Sequence, residues 1–299
     1  MAKARQIVKR RKAVTNIRKI TKTMQLIATA RYQQAFQRAT ATKPYTCKIT
    51  QLVEELSAAA QGQIDHPLLR ENPDAPSDLL LVLTSNRGLC GGYNASVLRT
   101  ALAHLESHAD RPTELHVVGK KGNAYFRFIR RAVDRAITNI DDRPRFDQVE
   151  PIASELMKRY EAGALRHVSV VYMRFVSAGR QVPEVMRLLP LSGETTQAAE
   201  KTATPPAAAA GVGTVQYDFS PEPEQLLKVL LPQTVKVRLY QSFTDAALSE
   251  QVARMVAMKA ATDAAGEMIK LLSRQFNRAR QSQITMELLD IVGCAEALK

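Results

Sequence analysis

Few residues in this chain have the type and spacing to do chemistry, and the most suggestive are glycines. Gly88-Leu89-Cys90-Gly91-Gly92 follows an apolar run, Leu79 to Thr84, and precedes an amphipathic stretch through Val97, Leu98, Leu102 and Leu105. A glycine turn between a strand and a helix is where α/β folds hold phosphate groups. This one matches neither G-x-G-x-x-G nor the P-loop with its Lys-Ser/Thr ending, so a tight turn needing glycine's backbone freedom is favoured over a nucleotide cradle. Cys90 could serve as a nucleophile if a helix end lowered its pKa, but no base partner is recognisable, which favours a small buried side chain. His104 and His108 stand one helical turn apart, and with His116 they raise metal ligation. Lacking an H-E-x-x-H arrangement, they read as surface histidines. Cys47, Cys90 and Cys294 are odd in number and far apart, which indicates neither a disulfide framework nor a zinc site and suits a reducing compartment. No carboxylate pair or Ser-His-Asp grouping can be argued from spacing, which weighs against an enzyme. The expectation is a chain with no catalytic residues, no metal and no cofactor.

The elements that must position these residues are dominated by the two ends. Thr244 to Val292 runs for nearly fifty residues with one glycine, Gly266, and no proline. That predicts one helix of about 70 Å. Met255, Met258, Thr262, Ala265, Ile269, Leu272, Phe276 and Ala279 recur at steps of three and four, the spacing of a narrow seam facing one partner helix. The N-terminal end is the natural partner. From about Ala4 it keeps a helical period, with Ile7, Val14, Ile17, Met24, Ala28 and Ala35 on seam positions, flanked by Ile20 and Ile27. Arg10, Thr21 and Arg31 interrupt that seam, which argues for different neighbours along the helix. Pro44 predicts a kink, and the pattern ends near Gly62.

Between the ends the grammar changes. After a linker at Asn72 to Ser77, strands are predicted at Leu79–Thr84, Leu115–Val118, Ala132–Ile140, Val168–Phe175 and Val182–Leu189. Helices are predicted after the glycine turn, over Asn123–Arg131 and over Val149–Tyr160. This alternation predicts an α/β layer with a largely parallel sheet. Ser192 to Thr214 collapses into Ser, Gly, Thr, Ala and Pro and reads as a mobile loop. Tyr217 and Phe219 precede Pro221, which suits a helix start, and Pro232 kinks or restarts that helix. The organisation expected is a shaft helix over 1–62, an α/β domain over 72–190, a low-complexity loop over 192–214, and a C-terminal helix and shaft over 221–299.

The net charge of +13 is gathered at one end, because residues 1 to 53 hold thirteen Lys or Arg and no Asp or Glu. Such a segment expects an acidic partner: nucleic acid, lipid head groups or a carboxylate-rich protein surface. Charge does not choose among them, and a basic coiled-coil nucleic-acid scaffold is the alternative function. No apolar run approaches the length of a membrane span, and the basic N-terminus is not followed by an apolar signal core.

Four stretches decide further. SEQVARMVAMKAATDAAGEMI from Ser249, NRARQSQITMELLDIV from Asn277, KITKTMQLIATAR from Lys19 and SNRGLCGGYN from Ser85 closely resemble the gamma subunit of F-type ATP synthases, in the same order along the chain. The resemblance implies a long antiparallel coiled coil of the terminal helices with an inserted Rossmann-like α/β domain. It implies a noncatalytic rotor inside a ring of alpha and beta subunits, coupling ion flow to ATP synthesis or hydrolysis. Lys22, Thr23 and Met24 match the contact with an acidic loop of beta. Arg254, Gln281, Thr285 and Glu287 match polar coupling residues, and Ile284, Leu288 and Ile291 an apolar bearing tip. Gly88, Cys90, Gly91 and Gly92, with Tyr217, Phe219 and Ser220, match the foot toward the epsilon subunit and the c-ring. The implied placement is peripheral, on the cytoplasmic face of a bacterial inner membrane, with no nucleic acid bound. The family usually carries an acidic residue at Ser220 and glycine at Cys294, and its helix is usually continuous where Pro232 stands.

Overall fold

A computed structural model describes residues 2–59, 66–191 and 223–297. The mobile loop expected over Ser192 to Thr214, the residues near Gly62, and Tyr217, Phe219, Ser220 and Pro221 all lie outside that range. The elements in chain order are α1 (Ala2–Ala59), β1 (Ser77–Leu83), α2 (Tyr93–Ser107), β2 (Thr113–Val118), α3 (Lys120–Phe128), β3 (Arg135–Ile137), α4 (Phe146–Glu161), β4 (Leu165–Ser177), β5 (Arg180–Leu189) and α5 (Pro223–Ala297). Both terminal helices are continuous as secondary structure. α1 runs through Pro44 for 58 residues and α5 through Pro232 for 75. Pro232 therefore does not restart the helix. Two other expectations also shift: the third strand is three residues, and α3 begins at Lys120, three residues before the predicted start.

The chain divides into two compact units. One comprises residues 1–31, 89–91 and 252–299, and the other residues 32–88 and 92–251. The larger unit is built on a five-stranded sheet of order β3-β2-β1-β4-β5, in which all pairings are parallel except β4 with β5. β1 is the central strand, and its continuous Leu-Leu-Leu-Val-Leu run is buried on both faces, as a central parallel strand requires. On one face Leu79, Leu81 and Leu83 join Val149, Ile152, Leu156 and Tyr160 of α4 and Leu227, Leu231, Val235, Leu239 and Phe243 of α5. On the other lie α2 and α3. From Thr234 to Gln251 every side chain of α5 is buried or half-buried, so its apolar residues there are not confined to a stripe.

Thr84 fixes the junction at the end of β1. Its hydroxyl donates to the Val118 carbonyl at 2.7 Å and accepts the Gly122 amide at 3.0 Å, tying β1, β2 and α3 together. α3 can approach that closely only because residue 122 has no side chain: a Cβ there would lie 2.5 Å from the Thr84 hydroxyl oxygen.

Candidate functional site

The smaller unit holds most of the residues singled out by sequence. Its basis is an antiparallel pairing of α1 and α5. The Thr262 hydroxyl lies 2.8 Å from that of Thr21, the Arg18 guanidinium lies over Gly266, and the Arg11 guanidinium sits 5.5 Å from the centre of the Phe276 ring. Moving toward the N-terminus of α1 thus meets residues ever closer to the C-terminus of α5. On α5 the predicted seam is realised. Met258, Thr262, Ala265 and Leu272 are buried, and Met255, Ile269, Phe276 and Ala279 are half-buried.

On α1 the seam differs from the expected one. Ile17 is 52% exposed and Met24 36%, while Thr21 and Ala28 are buried and Ile7, Arg11, Val14 and Gln25 are half-buried. The heptad steps through Ile7, Val14, Thr21, Ala28 and Ala35, so Thr21 is a seam member. Its burial is tolerated because its hydroxyl meets Thr262 and lies 3.1 Å from the Arg18 carbonyl. Ile17 and Met24, together with the flanking Ile20 and Ile27, instead form an exposed apolar stripe at helical spacing. Lys19, Lys22 and Thr23 are exposed beside it, with the Thr23 hydroxyl donating to the Lys19 carbonyl.

A second exposed apolar surface lies at the end of α5. Ile284, Leu288 and Ile291 all face outward, as do Met286, Leu289 and Val292. Gln281, Thr285 and Glu287 are exposed among them. The Thr285 hydroxyl donates to the Gln281 carbonyl at 3.0 Å, and Gln283, which no sequence pattern marks, donates to Glu287 at 2.8 Å. Between Gln6, Ile7 and Arg10 of α1 and Arg278, Ser282 and Met286 of α5 a groove of ≈ 750 Å³ opens. Arg254 is half-buried.

The glycine turn has a structural reason for its composition. Gly91 has φ +56, and a Cβ there would contact Ala257 and approach the Ala253 carbonyl of α5. Its crest, Leu89 to Gly91, therefore belongs to the unit of α1 and α5. Cys90 is buried, as expected from its size, whereas Leu89 is 60% exposed at φ +64 and was not anticipated. Gly88 lies near the Lys121 side chain, and Gly92 precedes α2. In the other unit, the cavity beyond β1 and β2 is only ≈ 40 Å³ and is lined by Asp141, Asp142 and Glu250. That volume and charge do not suit a nucleotide phosphate.

Of the three histidines expected at the surface, His116 is not there. His104 and His108 stack at 4.3 Å on α2, but His116 on β2 is 3% exposed. Burial lowers its pKa first, followed by the positive charge of Arg135. Its Nδ1 is buried without a hydrogen-bond partner among the described residues. Among the described residues no three His, Cys, Asp or Glu side chains are grouped to hold a metal ion, and no helix is long and apolar enough to cross a membrane.

A family model described as ATP synthase matches residues 3–298. The ATP synthase gamma chain of Rhodopirellula baltica is 44% identical, with all of both chains covered. That of Saccharopolyspora erythraea is 40% identical over all of this chain and 98% of its own length. Among solved structures, the rotor of the Euglena gracilis mitochondrial ATP synthase in rotational state 1 aligns with TM-score 0.62 at 18% identity, covering 95% of this chain and 99% of that one. The Tetrahymena thermophila mitochondrial central stalk and c-ring structure aligns with TM-score 0.59 at 23% identity, covering 81% and 99%. At these identities the structural matches speak for the fold.

Proposed function

The chain belongs to the ATP synthase gamma chain family, and from that membership we propose that it is the noncatalytic central rotor of an F-type ATP synthase. The observation that carries this reading is the pair of uncovered apolar surfaces on helices whose seam is already occupied: Ile17, Ile20, Met24 and Ile27 on α1, and Ile284, Leu288 and Ile291 on α5. A helix pair that has satisfied its own seam and still exposes large apolar side chains is made to be enclosed. Enclosure by a ring of alternating alpha and beta subunits supplies that sleeve. The Ile284, Leu288 and Ile291 tip turns against apolar walls without fixed hydrogen bonds. Gln281, Thr285, Glu287 and Arg254 offer contacts that depend on rotational position.

Lys22, Thr23 and Met24 face an acidic loop of beta, which gives the basic N-terminal segment its partner. If the angle of the shaft changes nucleotide affinity at each beta subunit, then nucleotide binding and hydrolysis must push on that angle, because coupling free energy is reciprocal. Torque is this coupling expressed mechanically, and ATP chemistry stays in the ring. Gly88, Cys90, Gly91 and Gly92, with Tyr217, Phe219 and Ser220, form the foot toward the epsilon subunit and the c-ring, where Leu89 supplies the exposed side chain of the glycine turn. The chain sits peripherally on the cytoplasmic face of the inner membrane and couples ion flow to ATP synthesis or hydrolysis.

The test is steady-state ATP hydrolysis by alpha and beta subunits of the same source, reconstituted with and without this chain. The chain is expected to join the ring and stimulate hydrolysis while showing none alone. Failure to join or stimulate sinks the reading, and hydrolysis by the purified chain alone would contradict its noncatalytic role.

A further inference from the structure

The end of α3 carries an exposed aromatic ring among arginines. Phe126 is fully buried, but Phe128, two residues on and therefore on the opposite side of the helix, is 83% exposed. Ile129 beside it is also exposed. Arg127, Arg130 and Arg131 surround them, all exposed, and none of the three holds a salt bridge among the described residues.

The helix closes by a specific bonding pattern. The Arg131 amide donates to the Phe126 carbonyl at 3.0 Å and the Arg130 amide to the Arg127 carbonyl at 3.1 Å, the two bonds of a Schellman cap. The residue between those bonds must be left-handed, and glycine is the usual occupant. Here it is Arg130, at φ +57, whose Cβ makes that conformation unfavourable. Attraction between a basic side chain and the helix C-terminus accounts for Arg127, which lies in the last turn. It does not account for an arginine kept at the strained position, nor for an aromatic ring held in water.

We propose that the Arg127–Arg131 turn is a docking knob for an acidic protein segment, in which Phe128 enters an apolar pocket and the three guanidiniums take carboxylates around its rim. Arginine's planar fork pairs with a carboxylate through two parallel hydrogen bonds, and an aromatic anchor ringed by charge is the usual composition of an interface hot spot. A fluid anionic bilayer would accept any arrangement of cations and gives no reason for strain at one of them. Carboxylates fixed on a folded partner do. The proposal rests on this turn alone and stands whether or not the rotor reading does.

The experiment places the photocrosslinker p-benzoylphenylalanine at position 128 of the full chain, expressed in its own cells, and maps the adducts by mass spectrometry. The expected adduct lies in a protein segment with at least two Asp or Glu close to the site. Its yield falls roughly tenfold when Arg127→Gln, Arg130→Gln and Arg131→Gln are combined. Arg130→Gly separates recognition from folding, because it should raise the melting temperature by about 3 °C while lowering adduct yield. Adducts on lipid, on a segment without carboxylates, or none at all would overturn the proposal. So would cosedimentation of the purified chain with phosphatidylglycerol vesicles that depends on these arginines.

Discussion

Met24 illustrates how one side chain can serve coupling without serving chemistry. It lies on the exposed stripe of α1, one turn from Ile20, with Lys22 and Thr23 nearby in sequence. In the proposed assembly it faces carboxylates, so Met24→Lys adds an attraction that favours one angular position over the others. ATP-driven ion pumping by the reconstituted complex should fall roughly threefold more than ATP hydrolysis, the size of one added partly screened ion pair. Equal losses in the two assays would refute the idea.

His116 is a residue whose effect lies in stability. Its folded pKa is lowered by burial, so as pH falls below 6.5 the unfolded chain takes up a proton that the folded chain resists. Stability is therefore full above that pH and declines as pH falls toward the folded pKa. Glu114 and Glu155, held below the usual carboxylate range by hydrogen bonds from Arg159 and Arg135 respectively, continue the loss at lower pH, below about 4.5. His116→Leu should flatten the decline in melting temperature between pH 7 and pH 5. An unchanged slope would assign that decline to other groups.

At the scale of elements, the pairing of α1 with α5 draws on small side chains and on a polar contact between two threonines. Ala28 and Ala265 are buried, and the Thr21 and Thr262 hydroxyls meet inside the apolar seam. Replacing one by valine keeps the shape but leaves the other hydroxyl with fewer partners, a cost of about 1 kcal/mol. Thr21→Val with Thr262→Val removes both polar groups and should cost less than the two single changes together. A urea double-mutant cycle on the full chain measures the difference, and an additive outcome would mean that the two hydroxyls do not stabilise each other.

The whole molecule separates a unit that packs from a unit that presents. The larger unit buries a sheet between helices on both faces, whereas beyond Gln281 nearly every described side chain of α5 is exposed. Truncation after Gln281 should therefore leave the melting of the α/β sheet within about 1 °C, since it removes no core contact there. It also removes Ile284, Leu288 and Ile291, each worth about 1.5–3 kcal/mol if fully enclosed by a partner. Titration of a labelled chain against the alpha/beta ring should show a loss of affinity of at least roughly tenfold. Unchanged affinity would show the tip to be dispensable.

Periodicity alone revealed the α5 seam from Met255 to Ala279, because a helix burying one narrow stripe must repeat it whatever the partner. The β/α alternation was equally legible, since Leu79 to Leu83 can be apolar throughout only where both faces of a strand are covered. Helix termini and the short β3 were less so, because they depend on caps and edges set by neighbouring elements. The α1 seam departs from the apolar pattern for a physical reason. An apolar count selects Ile17 and Met24, but the seam runs through Thr21, whose hydroxyl is satisfied by Thr262 from the far end of the chain. His116 is likewise not legible from sequence, because its burial arises from the sheet rather than from its neighbours in the chain. Two long terminal helices, a seam on one of them, an α/β insertion and a segregated positive charge are all properties of local pattern and are written in the order of residues alone. Which face of α1 is left uncovered, the packing of the glycine crest against Ala253 and Ala257, and the exposure of Phe128 among arginines emerge only on folding. Those outcomes depend on which distant surfaces meet, and no local period records that.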